Sequence, residues 1–245
     1  MNSSLVSYTK LVSSCNSPRN HVIDTVTIHV MAGINESLET FGSWLEEARY
    51  SSNYAIDSNG RIGLFVDEGN RSWCSSSPAN DHRAITIEVA NSDGEPDWPI
   101  SDKAYAALVN LLTDICKRNG IKRLLWKGDK SLIGKVEQQN MTVHRWFANK
   151  ACPGDYLYNR YADIALRVNT NLEEDDMEGK DIYDKLNAYL ATLPTSDYAK
   201  ESSKKGVESG LFSDGDKDGL VDNPRGILTR QDLAVVLNRA GTLDK

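Results

Sequence analysis

The spacing of apolar positions changes period several times along this chain, and each change marks an element. Asp24-Thr25-Val26-Thr27-Ile28-His29-Val30-Met31 is β-branched and mostly apolar, the pattern of a central strand, and Ala32-Gly33 closes it. From about Ser37 to Arg49, Leu38, Phe41, Leu45 and Ala48 recur at three- and four-residue spacing, which predicts a helix. Asn53–Asp57 and Arg61–Val66 flank Ser58-Asn59-Gly60, and Asn-Gly supplies the positive φ angles of a tight turn between antiparallel strands. Ala84–Ala90 reads as a further strand between polar loops. Ser101–Asn119 reads as a long helix that opens on Ser-Asp and stops at Asn119-Gly120.

The periodicity weakens from Trp126 to Thr142, which reads as loop. A helix opened by Pro153 and running to about Arg167 follows. Strands interspersed with helices, one hairpin among them, predict an α/β fold with a mixed central β-sheet flanked by helices over residues 1–168. The acidic stretch in 169–180, with Glu173-Glu174-Asp175-Asp176, reads as a self-repelling linker. Residues 181–245 read as a small helical C-terminal domain with helices near Asp181–Leu193, Asp197–Ser209 and Thr229–Arg239.

Composition narrows the function classes. The 245 residues are 40% hydrophobic and 26% charged, enough for a sizeable core. A net charge of -7 argues against a protein built to grip nucleic acid. Residues 169–245 hold 16 of the 35 acidic and 10 of the 28 basic side chains, so the acidity resides mainly in the linker and tail. No apolar run approaches the roughly 18 residues of a membrane-spanning helix, so membrane insertion is not expected. Met1–Pro18 is polar and serine-rich, so the expectation is a chain made in a cytoplasm without a secretion signal.

The four cysteines, Cys15, Cys74, Cys116 and Cys152, are too scattered for a disulfide framework and by default read as small buried apolar groups. Cys116 fits that reading on the apolar face of its helix; Cys152 does not. His21 and His82 lie in polar contexts and read as solvated. His29 lies in an apolar strand, where an unpaired imidazole costs free energy. His144 and Cys152 stand eight positions apart across a loop. Two neutral nitrogens and one thiolate with a fourth position open would make a catalytic rather than a structural zinc site, the alternative being scattered core residues.

Ile28–Gly33, Ser52–Ile56, Ala84–Glu88 and His144–Pro153 together resemble, in order over about residues 1–168, the type 2 N-acetylmuramoyl-L-alanine amidases, which include phage endolysins and the peptidoglycan recognition proteins. The resemblance implies one zinc ion held by His29, His144 and Cys152. It implies Glu88 as the catalytic acid-base, Lys150 as the oxyanion partner and Tyr54 as a third catalytic group. The reaction implied is hydrolysis of the amide between N-acetylmuramic acid and the L-alanine of the stem peptide. Candidate substrate contacts in or beside the motifs are Asn53, Trp73, Asn80, Asn91, Arg145 and Trp146. The runner-up reading is a recognition module that binds muropeptides without cutting, and a remote third is a cysteine-nucleophile hydrolase using Cys152 and His144.

The tail adds two motifs. Tyr198–Arg239 is similar to a single surface-layer-homology motif, which implies a secondary cell-wall polymer as a possible partner beside peptidoglycan. Asp214–Asp222 begins like a calcium loop, but its twelfth position is Arg225 instead of a bidentate carboxylate, which argues against Ca2+ and for an acidic turn. A wall substrate and no secretion signal together point to a phage or prophage endolysin that reaches the Gram-positive wall after release from the host cytoplasm; the alternative is a host enzyme recycling muropeptides in the cytosol, and the wall-binding-like second domain favours the endolysin.

Overall fold

The structure, a computed structural model, describes residues 1–175, 179–192 and 200–210. The chain divides into two compact units, Met1–Glu174 and Asp175–Lys245. In the second unit, helices cover Gly179–Ala191 and Lys200–Glu208. The expected third helix, the calcium-like loop and most of the surface-layer-like segment lie outside the described residues. Among the described residues, no helix is long and apolar enough to cross a membrane.

The first unit is built on a mixed, mostly parallel sheet. Its strands are β1 (Tyr8–Thr9), β3 (Thr25–Ile34), β4 (Tyr54–Ile56), β5 (Ile62–Leu64), β7 (Ala84–Asn91) and β8 (Met141–Thr142), in the order β1-β5-β4-β7-β3-β8. Only β4 and β5 run antiparallel, as the Asn-Gly turn predicts. Gly60 sits there at φ 82°, and a Cβ on it would come within 2.9 Å of the Lys103 carbonyl oxygen, so both conformation and space call for glycine. A separate two-stranded ribbon pairs β2 (Cys15–Asn16) with β6 (Arg71–Ser72).

Strand alternation sorts the sheet into two faces. Val26, Ile28 and Val30 of β3 and Ile85, Ile87 and Val89 of β7 enter the main core. That core is closed by α3 (Asp102–Asn119), through Leu108, Leu111, Leu112 and Ile115, and by α5 (Tyr161–Asp175), through Tyr161, Ile164 and Val168. Each fully buried aliphatic side chain contributes about 1.5–3 kcal/mol. The intervening residues Thr27, His29, Thr86 and Glu88 belong to the other face. Over part of that face lies α1 (Leu38–Ala48), whose Phe41 and Leu45 pack with Ala55 and Phe65 in a second cluster.

The helix boundaries follow capping chemistry. Ser37 accepts a hydrogen bond from Thr40 N at 3.1 Å to open α1, and Ser101 accepts one from Ala104 N at 3.1 Å to open α3. Gly120, at φ 69°, ends α3.

Five details depart from the sequence pattern. The polar loop before β7 contains a short helix, α2 (Pro78–Arg83), capped by Ser77. The segment expected as loop from Trp126 to Thr142 ends in β8, which pairs with β3 at Val26 and Thr27. The helix expected after Pro153 is two helices, α4 (Gly154–Tyr158) and α5. The second continues past Arg167 to Asp175, because Val168 and Leu172 stay on the buried face. Asn169, expected in the linker, is buried, exchanging two hydrogen bonds with the Leu124 backbone at 2.8 and 2.9 Å.

Candidate active site

Parallel pairing of β3 with β7 sets His29 directly opposite Glu88. Both lie on the sheet face away from the α3 core. The third participant is the segment 144–152. Val143 is buried behind β8, a single 3-10 turn carries His144–Trp146, and Arg145 N donates to Cys152 O at 3.2 Å. That backbone bond closes the loop and brings its two ends, His144 and Cys152, to the same place.

The ligating atoms of His29, His144 and Cys152 all lie within 4.8 Å of one another. Cys152 Sγ is 3.5 Å from His29 Nδ1. Two donors at zinc–sulfur and zinc–nitrogen bond lengths around one tetrahedral ion stand about 3.5 Å apart, so this pair fits zinc. The protonation chemistry fits as well. Burial and the neighbouring His144 hold His29 well below the usual imidazole range, and burial and Lys150 lower His144, so both are neutral as metal ligands require. Burial, then the Glu88 carboxylate, pushes the Cys152 thiol up, so a cation binding there would displace its proton. His29 is fully buried and its Nε2 has no hydrogen-bond partner among the described residues.

Glu88 sits beside this trio. Its Oε1 lies 3.9 Å from His29 Nδ1 and 3.6 Å from Cys74 Sγ, while the buried Oε2 has no partner among the described residues. Burial pushes its pKa up to about 8, partly offset by the Cys74 hydrogen bond. The cleft above the trio, of about 350 Å3, is lined by Glu88, His144, Lys150 and Cys152 together with Trp73, Cys74 and others. A larger groove of about 780 Å3 runs along α3 and α5, bordered by Tyr105 and Asp163, and contains none of these residues.

The other residues singled out in the sequence separate clearly. Tyr54 is not at the site. It pairs with Ile87 and therefore shares that residue's face, where it is fully buried. Its hydroxyl donates to Glu68 Oε1 at 2.8 Å and accepts from Ser3 N at 2.9 Å, and Arg118 completes the Glu68 cluster at 2.7 Å. The expectation of a catalytic Tyr54 is corrected by this one-residue alternation.

Among the six expected substrate contacts, Trp73 lines the cleft. Asn53, Asn80 and Asn91 are buried and spent on the scaffold. Asn53 Oδ1 accepts from Thr86 N at 3.2 Å, Asn80 Nδ2 donates to Thr27 Oγ1 at 3.0 Å, and Asn91 Oδ1 accepts from Ala32 N at 3.1 Å. Arg145 staples the ligand loop, donating to Ala151 O at 2.6 Å and pairing with Asp155 at 3.1 Å. Trp146 stacks on Trp126, with ring centroids 5.2 Å apart and planes 8° from parallel, as a packing residue does.

Sequence reasoning missed Cys74, which is buried as expected but with its thiol against Glu88. It also missed Ser76, whose Oγ lies 3.1 Å from His144 Nε2. Trp44 and Tyr50 line the cleft too, and no residue pattern available beforehand marked their exposure.

A model of the N-acetylmuramoyl-L-alanine amidase family matches residues 19–155, a span that includes His29, Glu88, His144, Lys150 and Cys152. Among solved structures, a selenomethionine derivative of AmpD is similar at 16% identity, over 66% of this chain and 96% of that one, with a TM-score of 0.49. The structure of PlyL is similar at 16% identity over 66% and 95%, with a TM-score of 0.47. The endolysin amidase LysCS from Clostridium intestinale URNW is similar at 12% identity over 64% and 95%, with a TM-score of 0.45. No curated protein matches the chain.

Proposed function

The chain belongs to the N-acetylmuramoyl-L-alanine amidase family, and on that premise we propose that it is a zinc-dependent peptidoglycan hydrolase cutting the amide between N-acetylmuramic acid and L-alanine. One observation carries the reading: a strand histidine meets the histidine and cysteine of a distant loop beside a cleft that the latter two line, with a carboxylate next to them. His29, His144 and Cys152 would hold the metal. Bound there, zinc supplies Lewis-acid polarisation of the scissile carbonyl and makes water nucleophilic at neutral pH.

The remaining chemistry falls to the chain's own groups. In its ionised form Glu88 takes a proton from the attacking water as its oxygen adds to the lactyl carbonyl carbon, then delivers that proton to the L-alanine nitrogen as the C–N bond breaks. Lys150, on the wall of the cleft, balances the negative charge that develops on the carbonyl oxygen. The products are a lactyl carboxylate and a free L-alanine amino group, so one water is consumed for each bond cut.

Dialysis against a chelator tests the metal dependence. Wall hydrolysis should fall by more than about a hundredfold and return on adding one equivalent of zinc. Activity that survives removal of zinc would favour the cysteine-nucleophile reading. A recognition module without catalysis is disfavoured by the complete set of His29, His144, Cys152, Glu88 and Lys150. The setting we infer is a phage or prophage endolysin. Bacteria expressing the chain should then stay intact until their membrane is permeabilised, and lysis without permeabilisation would count against that setting.

A further inference from the structure

The cleft has an aromatic wall that the hydrolytic machinery does not use. Four rings form a ladder from core to surface. Phe65 meets Phe41 edge to face at 5.6 Å, Phe41 stacks on Trp44 at 5.8 Å and 25°, and Trp44 stacks on Tyr50 at 6.0 Å and 12°. Exposure rises along it: Phe65 is 0% and Phe41 3% exposed, whereas Trp44 is 49% and Tyr50 55% exposed. Both outer rings line the same cleft as Glu88, His144 and Cys152.

Large exposed aromatic groups grouped at a cleft mark a binding surface more often than scattered ones do. Here the outer pair is held by a ring ladder rooted in the second core cluster, so presenting it to a ligand costs little further ordering. No charged side chain of α1 lines the cleft; its charged lining, Glu88, Glu95 and Lys150, comes from elsewhere in the chain.

We propose that Trp44 and Tyr50 form a glycan subsite, a platform on which an N-acetylated pyranose ring of the substrate stacks beside the metal ligands. The inference rests on the peptidoglycan reading above. A pyranose offers flat C–H faces with hydroxyls directed outward to water, which suits a rigid, uncharged aromatic plane. A stem peptide carries carboxylates and amines that such a wall leaves unpaired. The scissile amide is joined to the sugar through a single lactyl arm, so a ring bound for reaction must lie in the cleft that His144 and Cys152 share with this platform.

The test uses two kinds of measurement on the full chain. First, the N-acetylglucosaminyl-N-acetylmuramic acid disaccharide, without peptide, is titrated against the protein by calorimetry. The wild type should bind it, Trp44→Ala should weaken binding about tenfold or more, and Trp44→Phe, which keeps a ring, should retain most of it. Second, hydrolysis is compared on a disaccharide-peptide and on a lactyl-peptide lacking sugar. Trp44→Ala should raise KM on the first with kcat preserved, and leave the second unchanged. Thermal melting checks that the variants fold, as the exposure of Trp44 leads one to expect.

Equal losses on both substrates, or a wild type that hydrolyses the disaccharide-peptide yet shows no affinity for the disaccharide, would overturn the subsite while leaving the amidase reading intact. Binding of the disaccharide at Trp44 without any release of L-alanine amino termini would support the subsite and overturn the amidase reading instead.

Discussion

Replacing Glu88 with alanine should leave the metal in place and reduce wall hydrolysis by at least about a hundredfold, the scale on which a positioned acid-base group acts. The carboxylate lies outside the His29, His144 and Cys152 trio, although one of its oxygens also falls within 4.8 Å of the His29 and Cys74 donors, and its only hydrogen bond among the described residues is the 3.6 Å contact with Cys74. Its second oxygen is buried without a partner among the described residues, an arrangement that costs stability rather than supplying it. The variant should therefore melt at the same temperature as the parent or higher, a trade of activity for stability common at active sites. Zinc content by elemental analysis, melting temperature and turnover together separate a catalytic from a structural role. A variant retaining near-normal turnover would remove Glu88 from the mechanism.

The second large effect concerns the ligands themselves. His29→Ala and Cys152→Ser should each weaken zinc binding by more than about a hundredfold, since even outer partners of metal ligands are worth 10- to 100-fold in affinity. Hydrolysis should fall with the metal. Cys116→Ser provides the control, because Cys116 packs among apolar side chains of the α3 core and should leave zinc stoichiometry unchanged. His29 is completely buried in the sheet, so its truncation also opens a cavity; Cys152, only partly buried on a loop, gives the cleaner comparison. Full stoichiometric zinc in either ligand variant would refute the ligand set.

What could be read beforehand follows from what local pattern encodes. β3, β7, α1 and α3 carry strong periodicity and explicit caps, and each forms where the pattern puts it, within a few residues. The hairpin at Gly60 follows from turn chemistry alone. Two-residue strands such as β1, β2, β6 and β8 hold too few positions to show any period, and they exist because neighbouring strands supply partners. The acidic residues Glu173 to Asp175 suggested a linker, yet apolar side chains at Val168 and Leu172 carry the helix through them, a case of packing overriding local charge.

The candidate site divides along the same line. Residue type and spacing marked His29, His144 and Cys152, and the structure brings their donors together. Tyr54 failed because a motif fixes neighbours in sequence while register decides which face a side chain takes; Ala55, one position on, is the residue opposite Glu88. The buried amides of Asn53, Asn80 and Asn91 looked suited to a substrate but satisfy backbone and hydroxyl groups that would otherwise be unpaired. Cys74 was unreadable for a related reason, since its proximity to Glu88 depends on how the loop after β6 folds over the sheet.

The most direct test of the central claim is to incubate the zinc-loaded protein with purified peptidoglycan and identify the new chain ends by mass spectrometry. Hydrolysis at the proposed bond predicts stem peptides beginning with a free L-alanine amino group and glycan strands bearing intact lactyl carboxylates. New reducing sugar ends, or amino termini at any other residue of the stem, would contradict it.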